Sequence, residues 1–342
     1  MNELMSGLLI VVAASVLQGS FMVPMAYVRN WKWENSWAFF SVLAMLVFNW
    51  AFAWFSIPSL IQVYKSASLS ILAAPAVFGL CWGVGAFCFG LGMAAAGFAL
   101  GYALIMGIVL SFGAFIPMAV LHPNDIFTTK GVLVLSGLFC MVAGIAVFGL
   151  AGIRKEKEQG KKTGAITGTS TLSFKAGLII CIAAGILSCL TNVGFSMSGP
   201  LIKLAVEHNA SEKWAGNAVW AALFTFGAIV NLAYCGYLFM KNKSFAAYQR
   251  PQFLRNLLLL VFMSLMWIGS FILYGLGAAM MGDWGTVIGW SVFIALSITI
   301  ANIWGFAQGE WKNTSKATRK LMVAGLSILV LVILIFAFVN VK

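Results

Sequence analysis

Charged residues and histidine punctuate this chain so sparsely that the apolar stretches between them define its elements. Runs free of Asp, Glu, Lys, Arg and His extend over Leu4 to Val28, Asn35 to Tyr64, Ser66 to Leu121, Gly131 to Ile153, Ala176 to Ile202, Trp214 to Met240, Asn256 to Gly282, Trp284 to Gly309 and Leu321 to Val341. A helix rises about 1.5 Å per residue, so about 20 residues cross the ~30 Å hydrocarbon core of a bilayer. Each run is long enough for one crossing, and the third, at 56 residues, for two, with a break expected near Ala96 and Gly97. The pattern predicts an all-α polytopic membrane protein of ten transmembrane helices.

Composition removes the competing classes. Hydrophobic residues make up 62% of the 342 residues and Asp, Glu, Lys and Arg only 9%, with a mean hydropathy of +0.98. A soluble domain carries about 25% charged residues and could not coat itself with so few. This excludes a water-soluble enzyme, a nucleic-acid binder and a disordered chain. The net charge of +12 reads as topology, because Lys and Arg collect on the cytoplasmic side. If the spans alternate, the loops after helices 1, 3, 5, 7 and 9 hold sixteen of the 21 Lys and Arg, which places both termini on the periplasmic side. The Arg154–Lys175 loop, with its RKEKEQGKK run, is then a flexible cytoplasmic connector. The first run follows Glu3 with no basic stretch before it, so it is expected to be a retained span and not a targeting peptide. The six cysteines all sit in apolar runs without metal-ligand spacing and read as buried small residues.

The two halves repeat one another at slowly growing offsets. Pro24 matches Pro200 at 176. Trp82, Gly90, Leu91 and Gly92 match Trp267, Gly275, Leu276 and Gly277 at 185, both reading W-x7-G-L-G. Gly97, Gly101 and Tyr102 match Gly285, Gly289 and Trp290 at 188, as Gly137-Leu138 match Gly325-Leu326. Five helices per copy force the second into the membrane upside down. The expected architecture is two inverted five-helix repeats, residues 1–153 and 176–342, joined by residues 154–175, which is the architecture of a secondary transporter.

The stretch CWGVGAFCFGLGMAAAGFALGYALIMGIVLSFGAFIP (Cys81 to Pro117), the W-x-W-E at Trp31 to Glu34, GFSMSGPLIKLA (Gly194 to Ala205) and the GEW at Gly309 to Trp311 resemble the bacterial L-rhamnose/proton symporter family. That family belongs to the drug/metabolite transporter superfamily, whose larger members have ten helices in two inverted repeats. The resemblance covers essentially the whole chain. It implies import of L-rhamnose or a related deoxysugar with a proton, across the bacterial inner membrane.

Candidate chemistry follows from a ligand that has both flat C–H faces and hydroxyls. Trp82 with Phe89, and their counterparts Trp267 with Tyr274, give helices 3 and 8 an aromatic stripe on one face that a sugar could stack on. The alternative is plain core or lipid-facing packing. Tyr102 and Trp290 directly follow Gly97-x-x-x-Gly101 and Gly285-x-x-x-Gly289, small-residue pairs that let helices approach closely and hold those rings at a pocket. Among the intramembrane amides, Gln18 and Asn192 have the better claim on sugar hydroxyls. They sit on the Pro-containing helices 1 and 6, whereas Asn217, Asn231 and Asn302 read equally well as helix-to-helix glue. Proton coupling needs a titratable group. No carboxylate is central in an apolar run, so the candidates are Asp283, at the outer start of helix 9, and Glu34, at the inner start of helix 2, with Glu310 a third.

No nucleophile triad, acid/base pair, metal cluster or phosphate loop can be assembled, and neither an enzyme nor a cofactor is expected. A second reading is an exporter of small metabolites or hydrophobic cations on the same fold, for which a membrane-embedded Glu or Asp would be expected.

Overall fold

A computed structural model describes residues 3–160, 173–249 and 251–341. It contains ten helices long and apolar enough to cross a membrane: α1 Glu3–Tyr27, α2 Trp33–Ser56, α3 Leu69–Ala96, α4 Phe98–Leu121, α5 Thr129–Glu158, α6 Phe174–Glu207, α7 Asn217–Asn242, α8 Phe253–Met280, α9 Gly282–Ala307 and α10 Lys316–Phe336.

Local sequence explains where these spans begin and break. The 56-residue run divides at Gly97, whose φ of 98° and ψ of 146° suit glycine and few other residues. The run from Asn35 to Tyr64 is not one helix. Ile57, held extended (φ −124°, ψ 101°) before Pro58, ends α2, and Leu60–Ser66 forms a short helix of its own. In α1 the regular helix stops at Ser20 and resumes as a 3₁₀ turn over Pro24–Tyr27. In α6 it stops at Met197 and resumes over Gly199–Glu207, with Pro200 in its first turn. Thr128 and Ser173 cap α5 and α6 by accepting the N–H groups of Gly131 and Ala176. Helix α5 runs past Ile153 to Glu158. Most of the basic connector, residues 161–172, lies outside the described residues.

The packing partners come in pairs. Helix α3 lies along α6 and α8 along α1; α4 lies against α6 and α9 against α1; α3 meets α7 and α8 meets α2, while α5 crosses α10. A Cβ added at Gly92 would stand 2.8 Å from Cys181 Sγ, and one added at Gly277 would stand 2.7 Å from Val11 Cγ2 and Gly7 O. At the α5–α10 crossing, Gly137 faces Val332 and Phe336, and Gly325 faces Gly144 and Phe148. These glycines set how closely the helices approach in a medium that offers no hydrophobic drive between them.

The loops sort into two ends. Glu3 pairs with Lys213 (2.8 Å), and His122 Nε2 donates to the Asp283 carbonyl (2.9 Å), at one end. At the other, called here the basic end, Lys155 pairs with Glu310 (3.2 Å), Arg29 and Asn256 exchange hydrogen bonds, and Glu34 meets Ser244. Loops after odd-numbered helices therefore meet one another, and so do those after even-numbered ones.

Candidate functional site

Helix α8 supplies the spine of the site. Its Trp267 stacks on Trp82 of α3 with centroids 5.7 Å apart and planes at 26°. Phe224 of α7 wedges against both, at 5.1 Å and 4.6 Å. Two turns along, Tyr274 contacts Trp290 (5.5 Å) and Phe293 (5.0 Å) of α9. Phe271 bridges the two groups, 5.0 Å from Trp267 and 5.7 Å from Phe293. Such edge and offset contacts add about 0.5–1.5 kcal/mol each beyond area burial.

Asn192 is the polar centre. It is fully buried, accepts the Tyr274 hydroxyl on Oδ1, and donates from Nδ2 to Gly113 O (2.7 Å) and Thr286 O (2.8 Å). One amide thereby ties α6 to α8, α4 and α9. Trp290 Nε1 donates to Val109 O (3.0 Å), a second tie between α9 and α4. Gln18 reaches the cluster from α1, where its Oε1 accepts the Ser270 hydroxyl at 2.7 Å. Amides, a phenol and indoles from five helices thus lie in one group, with their polar atoms bonded within it or to the backbone of α4 and α9.

Of the seven binding candidates read from the sequence, Trp82, Trp267, Tyr274, Asn192, Trp290 and Gln18 therefore join one connected group. Tyr102 does not. It stacks on Phe98 (6.0 Å), meets Phe89 (6.2 Å) and packs both on the main core and on a smaller cluster of Phe148, Ala151, Trp311 and Met322. Periodicity does not single out Phe224, Phe271, Phe293 and Ser270, nor Trp220 of α7, which packs on Phe224 and Phe271 at 5.3 Å each. In runs that are apolar on every face, nothing in periodicity separates an inward ring from a lipid-facing one. The other amides bond within the bundle: Asn217 to Ser56 (2.8 Å), Asn231 to Trp37 (2.9 Å), and Asn302 to Ile298 of its own helix (2.8 Å).

The two coupling candidates differ sharply. Glu34 is 3% exposed, and its Oε1 accepts from Ser244 Oγ (2.6 Å) and Asn242 Nδ2 (2.9 Å) across the basic end. Beside it Tyr248 donates its hydroxyl to Asn35 O (3.0 Å). Burial pushes the phenol up to about 12, so it remains a donor at neutral pH. Asp283 is exposed, with its carbonyl on His122, and its neighbour Trp284 stacks on the His122 ring (4.6 Å) and lies 4.7 Å from the Lys130 ammonium. No group of three His, Cys, Asp or Glu among the described residues could hold a metal ion.

A family model described as L-rhamnose-proton symport protein (RhaT) matches residues 1–341. The chain belongs to the L-rhamnose-proton symport family. It is 25% identical over 343 residues, 96% of each chain, to the L-rhamnose-proton symporters of Yersinia pestis (strain Pestoides F) and Yersinia pseudotuberculosis serotype O:3 (strain YPIII). It is 25% identical over 324 residues, 91% of each, to that of Pectobacterium atrosepticum. As a member of this symport family it is a multi-pass membrane transporter and not an enzyme.

Proposed function

We propose that this chain imports L-rhamnose or a related deoxysugar by proton symport, through alternating access, across a bacterial inner membrane. The observation that carries the reading is the joined set of Trp82, Trp267, Tyr274, Asn192 and Gln18 inside the bundle. It offers flat aromatic faces for a deoxysugar's methyl and C–H surface, with amide and phenol groups for its hydroxyls. The full-length family match supports the substrate class.

Alternating access rests on two inverted repeats, residues 1–153 and 176–342, with 154–175 as a connector. The exchange of packing partners between the halves supports this: α3 on α6 answers α8 on α1, and Gly92 beside Cys181 answers Gly277 beside Val11. In this reading the basic end is cytoplasmic, both termini are periplasmic, and the Asn192 and Trp290 bonds close the periplasmic half.

The coupling proton binds Glu34 or Asp283, and the buried network around Glu34 makes it the stronger of the two. A membrane potential of about 100 mV supplies about 2.3 kcal/mol per charge, roughly a fifty-fold sugar gradient. The test is transport in proteoliposomes by Glu34→Gln and Asp283→Asn. The reading expects at least one of them to lose pH-driven accumulation while still exchanging sugar between equilibrated compartments. Accumulation by both at the parent level would remove these residues from the coupling step.

A further inference from the structure

Trp220, near the start of α7, is fully buried beside the binding group. Phe195 of α6 stacks on it at 4.2 Å with planes 7° apart, and Phe224 lies nearly parallel at 5.3 Å. Phe271 and Tyr274 of α8 approach at 5.3 and 6.2 Å. With rings stacked on the indole, its edge is the part left for polar recognition. That edge carries the Nε1 N–H, which is buried and has no acceptor among the described residues. An indole nitrogen can only donate, and hydrocarbon supplies no water to accept from it, so an unpaired N–H disfavours the arrangement that buries it.

The edge faces Gly275. A Cβ added there would stand 2.8 Å from Trp220 Nε1 and 3.4 Å from Phe195 Cζ, so glycine is what lets the indole close on α8. Gly90 is the matching glycine of the first W-x7-G-L-G, and a Cβ added at Gly90 meets nothing within 4 Å. In the inverted-repeat reading the halves exchange such environments between the two states, so space opens beside Gly275 when the periplasmic half opens.

A second unpaired group adjoins the same place. Thr286 Oγ1, in the π-helical Gly285–Gly289 of α9, is buried and without a partner among the described residues. The Thr286 carbonyl accepts from Asn192 Nδ2 (2.8 Å), and Asn192 Oδ1 accepts the Tyr274 hydroxyl. The two unpaired donors thus border the Tyr274–Asn192 hydrogen bond, Trp220 beside the phenol ring and Thr286 beside the amide.

We propose that Trp220 Nε1 and Thr286 Oγ1 are sugar-binding groups of the periplasm-facing state, each donating to a hydroxyl oxygen of the deoxysugar in the space that opens beside Gly275. Sugar leaving toward the basic end allows the periplasmic half to close, and both donors are then left without an acceptor. Trp82, which is half-buried, offers a ring face, whereas Trp220 offers an edge that reads a hydroxyl. The assignment rests on the sugar-import reading and adds two specificity-determining residues to it.

The test measures, by isothermal titration on the full chain in detergent at one pH, the binding of L-rhamnose and of analogues each lacking one ring hydroxyl. A hydrogen bond of this kind changes affinity about fivefold, and a site that bonds a hydroxyl discriminates against the analogue without it. The parent should bind one of the analogues about fivefold more weakly than L-rhamnose. Trp220→Phe should bind L-rhamnose about fivefold more weakly than the parent does and should lose the discrimination against that analogue; Thr286→Val should do the same for an analogue lacking another hydroxyl. A Trp220→Phe that weakens every sugar by one common factor, or that binds L-rhamnose as the parent does, overturns the assignment and leaves sugar import standing. If Trp220→Phe does not reach the membrane, a Thr286→Val that keeps the parent's whole discrimination pattern overturns the site equally. A parent that binds no L-rhamnose removes the sugar reading and these contacts with it.

Discussion

Trp82 and Trp267 share a stack but not an environment. Trp82 is half-buried, whereas Trp267 is 4% exposed and also packs on Phe40, Phe224 and Phe271. Trp82→Ala should therefore weaken L-rhamnose binding by about 1 kcal/mol or more, roughly fivefold in Kd, with membrane levels held. Trp267→Ala should in addition lose about 3–5 kcal/mol of stability to the cavity it opens. Isothermal titration and thermal melting in detergent separate the two effects; unchanged affinity in both variants would mean that the rings do not touch sugar. Tyr274→Phe should cost about 1–3 kcal/mol, because it leaves Asn192 Oδ1 buried without its donor. A melting temperature equal to the parent's would show that this bond carries no load. At this scale the W-x7-G-L-G pattern pairs Trp82 with Trp267, and the two rings stack in the structure. Tyr102, which the sequence pattern pairs with Trp290 at an offset of 188, packs against Phe98 and Phe89 and not against the Trp290 group. Glu156, which the sequence pattern leaves in the connector, is 9% exposed in the last turn of α5 and accepts the Ala99 N–H of α4, a contact that charge patterning alone does not signal.

Elements were largely legible, since a charge-free run of about 20 residues has one stable use in a membrane. Gly97 was findable from the length of its run, and Pro58, which ends α2, was findable by the ordinary effect of proline on its predecessor but was outweighed by the apolar run. The distorted stretches, a π-helical Ser41–Phe48 in α2 and Gly285–Gly289 in α9, left no compositional trace. Close helix approach gives a prediction at this scale. Gly277→Ala would place a methyl 2.7 Å from Gly7 O and should destabilise the α1–α8 crossing by about 1–3 kcal/mol. Gly236 has nothing within 4 Å of its added Cβ, so Gly236→Ala should leave stability unchanged or raise it by up to about 1 kcal/mol. Melting both variants in the same detergent checks the pair, and equal behaviour would mean that the crossing does not depend on glycine.

For the whole molecule, the count of ten spans and the family both followed from the sequence, whereas the two ends came together only in three dimensions, through contacts such as Lys155 with Glu310 and Glu3 with Lys213. The topology reading predicts that a cysteine at Gly164, outside the described residues, reacts only with reagents that cross the membrane, while one at Ser211 reacts from outside. Reversed labelling would invert the assignment of the ends. Symport itself is tested most directly by uptake of labelled L-rhamnose into proteoliposomes, with and without an imposed inward proton gradient, with fucose, lyxose and glucose as competitors. Proton symport predicts accumulation above the external concentration only when the gradient is present, its collapse on adding a protonophore, and competition by the deoxysugar in preference to glucose. Uptake that is the same with and without the gradient, or that none of these sugars affects, would contradict it.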